Sequence, residues 1–572
     1  MASSIAISSE AEEAPSRLAP WLLFLGSVLV YLLFPTRNFN YADDSLGWAN
    51  GITRSDGLIS SHHLFFNGLK VTYSALGRIA GDGLDPTRFL ATYSALCGAL
   101  GLVILYRLLV LARCGRAAIL GALLAGTTMG YWSYSIVGDA YIPATMFLLA
   151  GIYGVASGLA SPHPVAPWRV LATALAFVLM MLHHQGFFLT VLGLVPGVLF
   201  SHGAARSARI RYGFVVPLVA GLSTLLIYLA VHGAQPASKR GTFLDFASGQ
   251  AASFAKIPDM KNVSFKSVVN GCAGVTRAAL STNFLFKSRG FADALQSRFP
   301  YRNVYPYPYL VRRLPWPLVI VLGACFMTSL ALLTVLVIRG IFAAVRTREA
   351  AWVALMTAVP QAVFALWWEA VSDEFWIWST PFLALFATAG AVSYARTGRR
   401  LLGILLVGVA LSSVVSIWLY LDPTNDIDRV NDEYLEQLGS TDLLISLNDI
   451  VQDNRMRLAQ QRQGFERVEL AAPAMLQHTI PMEPLERALS RTIERGGAVY
   501  VDPYVARPPK SLVQKLTISA PRFEPERHAV LARLRLVDRS RIRWMPLQAE
   551  VAGYFEESPL VNHAGQPGDS GP

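Results

Sequence analysis

Long apolar segments alternate with short polar connections over the first 420 residues of the chain. A membrane-spanning helix needs about 20 mostly apolar residues, and eleven segments approach or reach that length. These segments are 19–34, 89–111, 117–136, 140–160, 170–182, 187–200, 213–231, 314–338, 350–368, 375–395 and 401–420. The pattern predicts a mainly α, polytopic membrane protein with about eleven transmembrane helices.

Arginine placement predicts the orientation of these spans, because short cytoplasmic loops are rich in Lys and Arg. With residues 1–18 as a cytoplasmic leader, the arginine clusters of the short loops all fall inside, and the C-terminus falls outside. Segment 63–80 is also apolar, but it carries Asn67, Lys70 and Arg78, and a twelfth span would move the arginines outside. We therefore expect this segment to lie in the outer membrane interface.

Beyond residue 421 the chain becomes polar and rich in charge. Segments 441–447 and 498–502 read as buried strands, and segments 449–463 and 485–495 as helices. We therefore divide the chain into a transmembrane domain over 19–421, with outer loops at 36–88 and 234–313, and a small soluble α/β domain over 422–560 on the outer face. Residues 561–572 have the composition of a disordered tail.

Composition and charge narrow the class of protein. With 53% hydrophobic and only 15% charged residues, the chain is not an ordinary soluble protein. Its net charge of +11 comes without the basic runs of a nucleic-acid binder, and its four cysteines lack metal-site or disulfide-framework spacing. Of the 16 acidic residues before residue 422, 12 fall on the predicted outer side. This distribution favours an enzyme that works on the outer face over a secondary transporter, which places ionisable groups inside its spans.

Two adjacent carboxylates, Asp43 and Asp44, follow the first predicted span. A carboxylate beside a reacting hydroxyl serves as a general base when partial burial tunes its pKa. An aspartate at this place equally serves as the N-cap of a helix that begins near Ser45. The residues alone leave both roles open.

Histidine pairs stand at two outer positions, His62–His63 before the interfacial segment and His183–His184 at the end of the fifth span. Imidazoles bind phosphate, orient carboxylates or ligate metals, and a single histidine also sits comfortably at a membrane interface. Asp139 lies in the outer turn between the third and fourth spans, where N-capping is the alternative role.

The outer loop over 234–313 holds twelve Lys or Arg residues against three Asp. Guanidinium groups bind phosphate in bidentate fashion, so this loop is a candidate site for a lipid-linked phosphate. The alternative is a solvated surface attracted to anionic lipid. We select five arginines as donor-phosphate ligands: Arg289, Arg298, Arg302, Arg312 and Arg313.

These residues, in this order, resemble the GT-C class of polytopic glycosyltransferases, and most of all its protein O-mannosyltransferase-like group. That group carries an Asp after the first span, matched by Asp44, and an HPPGYPL-like segment, matched without its prolines by HHLFFNGL at 62–69. Its acidic-x-Tyr step is matched by Asp139 and Tyr141, its histidine near the fifth and sixth spans by His183–His184, and its late acidic-aromatic segment by SDEFW at 372–376.

The resemblance implies an inverting sugar transfer from a polyprenyl-phosphate donor to a glycan, lipid or protein acceptor on the outer face. Asp44 would be the general base, with Asp43 as the second candidate. His62, His63, Asp139, Tyr141, His183 and His184 would shape the substrate site. Members of the class differ in their use of a divalent metal such as Mg²⁺ or Mn²⁺, which leaves that cofactor open.

The resemblance also favours a bacterial inner membrane with the site facing the periplasm, and the endoplasmic reticulum membrane is the alternative. Two other function classes remain open on the residues alone. One is a transporter or flippase for a lipid-linked saccharide, and the other is a non-catalytic membrane scaffold with a sensory outer domain.

Overall fold

A computed structural model describes residues 17–34, 36, 44–53, 63–80, 84–201, 204–236, 240–248, 263–298, 314–347, 349–421, 435–446, 450–469, 482–502, 505 and 523–544. The described chain is mainly α-helical, with a small parallel sheet near its C-terminal end.

Apolar helices dominate the first 201 residues. They begin with α1 (Ala19–Leu33), α2 (Asp44–Thr53), α3 (Phe65–Ala80), α4 (Pro86–Leu111), α5 (Ala117–Thr127), α6 (Met129–Ser135), α7 (Tyr141–Leu159), α8 (Pro167–His183) and α9 (Thr190–Leu199). A 3-10 turn over Gln185–Leu189 joins α8 to α9.

The next helices run to residue 421 and include three within the predicted basic loop. They are α10 (Arg206–Ile210), α11 (Val216–Gly233), α12 (Phe243–Ser248), α13 (Phe265–Ala279), α14 (Arg289–Arg298), α15 (Trp316–Thr347), α16 (Glu349–Glu369), α17 (Ser379–Val392) and α18 (Ala395–Leu421). A π-helical turn (Arg211–Val215) precedes α11, and 3-10 turns follow α13 (Asn283–Lys287) and α16 (Glu374–Trp376).

Each of the eleven predicted apolar segments contains helix, and six of the described helices are long and apolar enough to cross a membrane. The chain is therefore an integral membrane protein. The other five segments hold apolar helices of 10–17 residues, so the count of eleven spans stays a prediction. The third segment differs from expectation, because Thr128 has an extended backbone, with ψ 146°, and divides it into α5 and α6.

Close helix contacts in the bundle depend on small residues, as is usual where lipid supplies no hydrophobic drive between helices. Helix α15 packs against α17 with Gly340 facing Phe386 and Gly390 facing Leu336. A Cβ atom at either glycine would collide with the backbone carbonyl oxygen of the facing residue. The two backbones therefore approach to a separation that only glycine permits.

The C-terminal part contains a four-stranded parallel sheet. Its elements are β1 (Leu443–Ser446), α19 (Ile450–Gln463), β2 (Glu466–Glu469), α20 (Met482–Glu494), β3 (Val499–Val501), α21 (Phe523–Leu534) and β4 (Ile542–Trp544). The strand order is β2-β1-β3-β4, with Leu443 opposite both Glu466 and Val499. Strands and helices alternate along this described part of the chain and the strands pair in parallel, which is an α/β arrangement. A separate domain over 422–560 stays a prediction.

Helix α19 packs directly on α2. The Asn50 side-chain amide donates to the backbone oxygen and to the side-chain oxygen of Asn454, each at 2.9 Å. The Thr53 hydroxyl donates to the Gln461 side-chain oxygen at 2.9 Å. Leu458 is buried in one apolar cluster with residues of α2, α3 and α4. The C-terminal part thus contacts the segment that follows the first predicted span.

Candidate functional site

Three chain reversals meet at one end of the helix bundle. They are the turn before α7, the turn after α8 and the 3-10 turn before α17. The rings of His184 and Tyr141 lie 4.6 Å apart between their centroids, and Phe375 lies 5.8 Å from Tyr141 and 6.4 Å from His184. The structure therefore brings together residues that are up to 234 positions apart in the sequence.

Helices α2 and α3 cover this group. The His63 ring lies 5.0 Å from His184 and 4.4 Å from Trp48. Asp44 stands in the first turn of α2, four residues before Trp48, and residues i and i+4 lie on the same helix face. Asp44 is half-buried, and this spacing places it on the helix face that carries Trp48, the residue that contacts His63. The predicted base thus shares a region with the predicted histidines.

Helix α2 begins at Asp44 itself. Asp43 lies outside the described residues. Asp44 belongs to the first helical turn, where a negative charge is favoured by the helix dipole. The general-base role of Asp44 stays a prediction.

Asp139 is almost fully buried, at 2% exposure. Its Oδ1 accepts a hydrogen bond from the Ala140 backbone N–H, while the N-cap position of α7 is Ala140, without a side-chain cap. The N-capping role is therefore not what this carboxyl group performs. Asp139, Asp373 and Glu374 all lie within electrostatic range of the buried Tyr134 hydroxyl.

The two adjacent histidines of the fifth span occupy different surroundings. His183 is fully buried, its Nδ1–H donates to the Leu179 carbonyl oxygen at 2.7 Å, and its Nε2 accepts from the Tyr93 hydroxyl at 2.6 Å. Phe65 stacks on its ring at 4.0 Å. Both ring nitrogens are thus used by the protein core, and the geometry gives His183 a structural position beside the site.

His184 faces the other way, toward His63 and Tyr141. Its Nδ1 accepts a hydrogen bond from the Gly186 backbone N–H at 3.0 Å. A neutral His184 ring therefore carries its proton on Nε2, which is the donor that a phosphate or hydroxyl oxygen requires. Of the pair, His184 is the one that contacts the other predicted site residues, His63 and Tyr141.

One basic residue of the large outer loop reaches this site in the described chain. Arg277 pairs with Asp373 at 2.8 Å and donates to the Val371 carbonyl oxygen at 3.2 Å. Its helix α13 lies close to the α16–α17 connection because Gly274 faces Ala370 and Trp376 with no room for a Cβ atom. Arg277 was one of twelve basic residues in the loop, and no local sequence signal distinguished it from the other eleven.

Trp48 is not among the site residues that the sequence predicts. Its side chain is 9% exposed, and its indole N–H is buried without a hydrogen-bond acceptor in the described chain. A buried donor of this kind is costly unless a partner accepts from it. Trp48 thus contributes both a ring face against His63 and a donor at the candidate site.

Several predicted site residues lie outside the described residues, namely Asp43, His62, Arg302, Arg312 and Arg313. Arg289 and Arg298 are the terminal residues of α14. Within the described ranges, no group of three or more His, Cys, Asp or Glu side chains is arranged to hold a metal ion. The assignments of these residues and of a divalent metal stay predictions.

Comparisons with known proteins give remote similarities only. No protein-family model matches the chain, and no curated protein matches it significantly. Among solved structures, the chain is similar to the apo oligosaccharyltransferase of Archaeoglobus fulgidus, at 14% identity and a TM-score of 0.46 over 79% of this chain and 64% of that one. It thus spans less than two thirds of the length of that enzyme.

Two further solved structures are similar at the same level. ArnT from Cupriavidus metallidurans, bound to undecaprenyl phosphate, has 12% identity and a TM-score of 0.47, with 84% of this chain and 89% of that one covered. The archaeal oligosaccharyltransferase AglB from Archaeoglobus fulgidus, in complex with an inhibitory peptide and a dolichol-phosphate, has 15% identity and a TM-score of 0.45, with 79% and 65% covered.

Proposed function

We propose that this protein is an integral-membrane glycosyltransferase that moves a sugar from a polyprenyl-phosphate donor to an acceptor hydroxyl on the outer face of the membrane. The observation that carries the proposal is the convergence of His63, Tyr141 and His184 at one end of an apolar helix bundle. Asp44 lies one helical turn before Trp48, which contacts His63, and the buried Asp139 lies two residues before Tyr141. Carboxylates and imidazoles are the groups that proton transfer and phosphate binding require. Their position at the helix ends suits a donor with a charged head and an apolar tail.

In the proposed reaction the acceptor hydroxyl oxygen attacks the anomeric carbon of the sugar. The bond from that carbon to the phosphate oxygen breaks, and polyprenyl phosphate leaves with the bonding electrons. Asp44 takes the hydroxyl proton, and one displacement inverts the anomeric configuration. His184 and the basic residues of the 234–313 loop stabilise the charge on the departing phosphate.

The contact between α19 and α2 supports the proposed topology. Two segments that touch outside the bilayer lie on the same side of it, so an even number of spans separates them. Eleven spans, with the first before α2 and ten between α2 and β1, satisfy this condition. In this arrangement the N-terminus is inside, and the C-terminal α/β unit is an outer-face domain beside the active site.

Donor consumption in detergent tests the proposal. Purified full-length protein is mixed with a panel of polyprenyl-phosphate hexoses and pentoses and with an envelope extract as the acceptor source. A glycosyltransferase releases polyprenyl phosphate and labels a component of the extract, although no second compartment exists. A transporter or a scaffold leaves every donor in the panel intact, and that result would refute the proposed function.

A further inference from the structure

A cavity of about 560 Å³ lies at the end of the bundle opposite to the candidate active site. It opens between the last residues of α9, the last turn of α15 and the first turn of α16, and α10 closes one side. Helix α9 starts after His184 and reaches the cavity at Leu199, about 15 Å further along its axis at about 1.5 Å per residue. The two sites are therefore separate.

Three polar atoms in the cavity wall are buried and lack hydrogen-bond partners among the described residues. They are Nε of Arg209, Oγ of Ser201 and Nε1 of Trp352. The Ser201 side chain is only 2% exposed. All three atoms are able to donate, and a buried donor without an acceptor is costly. The wall therefore requires an acceptor that the described protein does not supply.

The charge of the wall defines that acceptor further. Arg209 is the one charged residue among the described residues that line the cavity. A guanidinium group with a hydroxyl and an indole N–H beside it forms a donor set for an anionic oxygen group, and phosphate fits this set best. A neutral acceptor would leave the positive charge uncompensated.

The remaining wall is apolar, and part of it is exposed. Phe200 is 67% exposed and Val345 is 47% exposed, and Pro196, Leu199 and Met356 complete the apolar lining. Inorganic phosphate gains nothing from these apolar surfaces, whereas a hydrocarbon chain that covers them is stabilised by the hydrophobic effect. The combination of donors within and apolar surface at the mouth matches an amphiphile.

We propose that this cavity binds the phosphate headgroup of a lipid from the membrane leaflet opposite to the candidate active site. The headgroup oxygens accept from Arg209, Ser201 and Trp352, and the chain lies along Phe200 and Val345. The shared chemistry is a phosphate ester with net negative charge and a hydrocarbon chain, which an anionic glycerophospholipid and a polyprenyl phosphate both carry. The inference stands apart from the proposed sugar transfer, because it uses none of that site's residues.

Lipid binding to the delipidated full-length protein in detergent tests the inference, with native mass spectrometry as the readout. The probes are phosphatidylglycerol, undecaprenyl phosphate, zwitterionic phosphatidylcholine and inorganic phosphate. We expect Arg209→Gln to lower the affinity for one or both anionic lipids by about tenfold. This is the loss typical of one charge-assisted hydrogen bond. The matched control is Arg206→Gln, which removes an exposed arginine from the same short helix and should leave binding unchanged.

A second variant pair decides the question if Arg209→Gln does not fold. Val345→Trp fills the mouth of the cavity from an exposed position, and Val335→Trp makes the same change at another exposed position of α15. Only Val345→Trp should reduce lipid binding. The anionic lipid that binds more tightly is identified as the ligand of the cavity. The proposal would be overturned if the two variants of either matched pair, Arg209→Gln with Arg206→Gln or Val345→Trp with Val335→Trp, bound lipid equally well. It would also be overturned if inorganic phosphate or phosphatidylcholine bound as tightly as the anionic lipids.

Discussion

Shortening Leu458 should release α19 from α2 and loosen the segment that carries Asp44. Leu458 is 9% exposed and belongs to the same buried cluster as Leu46, Trp48 and Ile52. Because Trp48 contacts His63 and shares α2 with Asp44, the position of α19 is coupled to the candidate site. The perturbation is Leu458→Ala.

The expected magnitude follows from the atoms removed. Leucine to alanine deletes three buried carbon groups, each worth about 0.8 kcal/mol, which gives about 2.4 kcal/mol. This value lies at the lower end of the about 2–5 kcal/mol measured for buried Leu→Ala changes. At about 1.4 kcal/mol per factor of ten, the equilibrium should shift about fiftyfold toward the undocked state.

Hydrogen exchange of the α2 amides measures this shift, because exchange reports the free energy of local opening. We expect faster exchange over residues 44–53 in Leu458→Ala and a parallel loss of sugar transfer. Leu536→Ala is the matched control, since Leu536 belongs to the same C-terminal part but is 76% exposed. Unchanged exchange in α2 together with unchanged transfer would refute the idea that α19 holds this helix in place.

Three further predictions concern single side chains. His183→Ala should lower the thermal unfolding midpoint, because it leaves the Tyr93 hydroxyl without its acceptor at a cost of about 1–3 kcal/mol. His184→Ala should instead keep most of the stability and lose transfer by about tenfold or more; the reverse pattern would contradict the assignment. Burial raises the pKa of Asp85, but hydrogen bonds from the Thr87 side chain, Thr87 N–H and Arg88 N–H outweigh it and hold this pKa below its usual value. The resulting stability is present above the unfolded-state pKa of about 3.9 and is lost as pH falls through the folded-state value. Wild type should therefore exceed Asp85→Asn in unfolding midpoint at neutral pH, and the difference should vanish in acid; a pH-independent difference would exclude this role.

The sheet illustrates what apolar patterns predict and what they miss. Strands β1 and β3 are central in the sheet and fully buried. Because buried strands are apolar, the apolar runs in the sequence predicted these two strands. Strands β2 (ERVE) and β4 (IRW) are the two edges of the sheet and carry charged residues. Edge strands commonly carry charges because these disfavour pairing with other chains. Because β2 and β4 carry charged residues, the pattern of apolar runs does not predict them.

The candidate site shows a different limit. The length of the apolar segments predicted the helices. The order of acidic and histidine residues predicted which chain reversals carry the site residues. His183 and His184 have identical side chains at adjacent positions, so only the neighbours brought by Phe65, Tyr93 and Tyr141 separate a core histidine from a site histidine. Arg277 likewise differs from the other basic residues of its loop because it forms an ion pair with Asp373. The sequence alone does not predict that these two residues meet.

The most direct test of the central claim is the rate of sugar transfer by purified Asp44→Asn. Asparagine keeps the size of the side chain and removes the basic carboxylate. We expect a loss of about a hundredfold or more, the contribution of a general base, with an unchanged unfolding midpoint. Asp245→Asn, at an exposed aspartate of α12 in the large outer loop, is the control and should retain transfer. Wild-type transfer by folded Asp44→Asn would contradict the account.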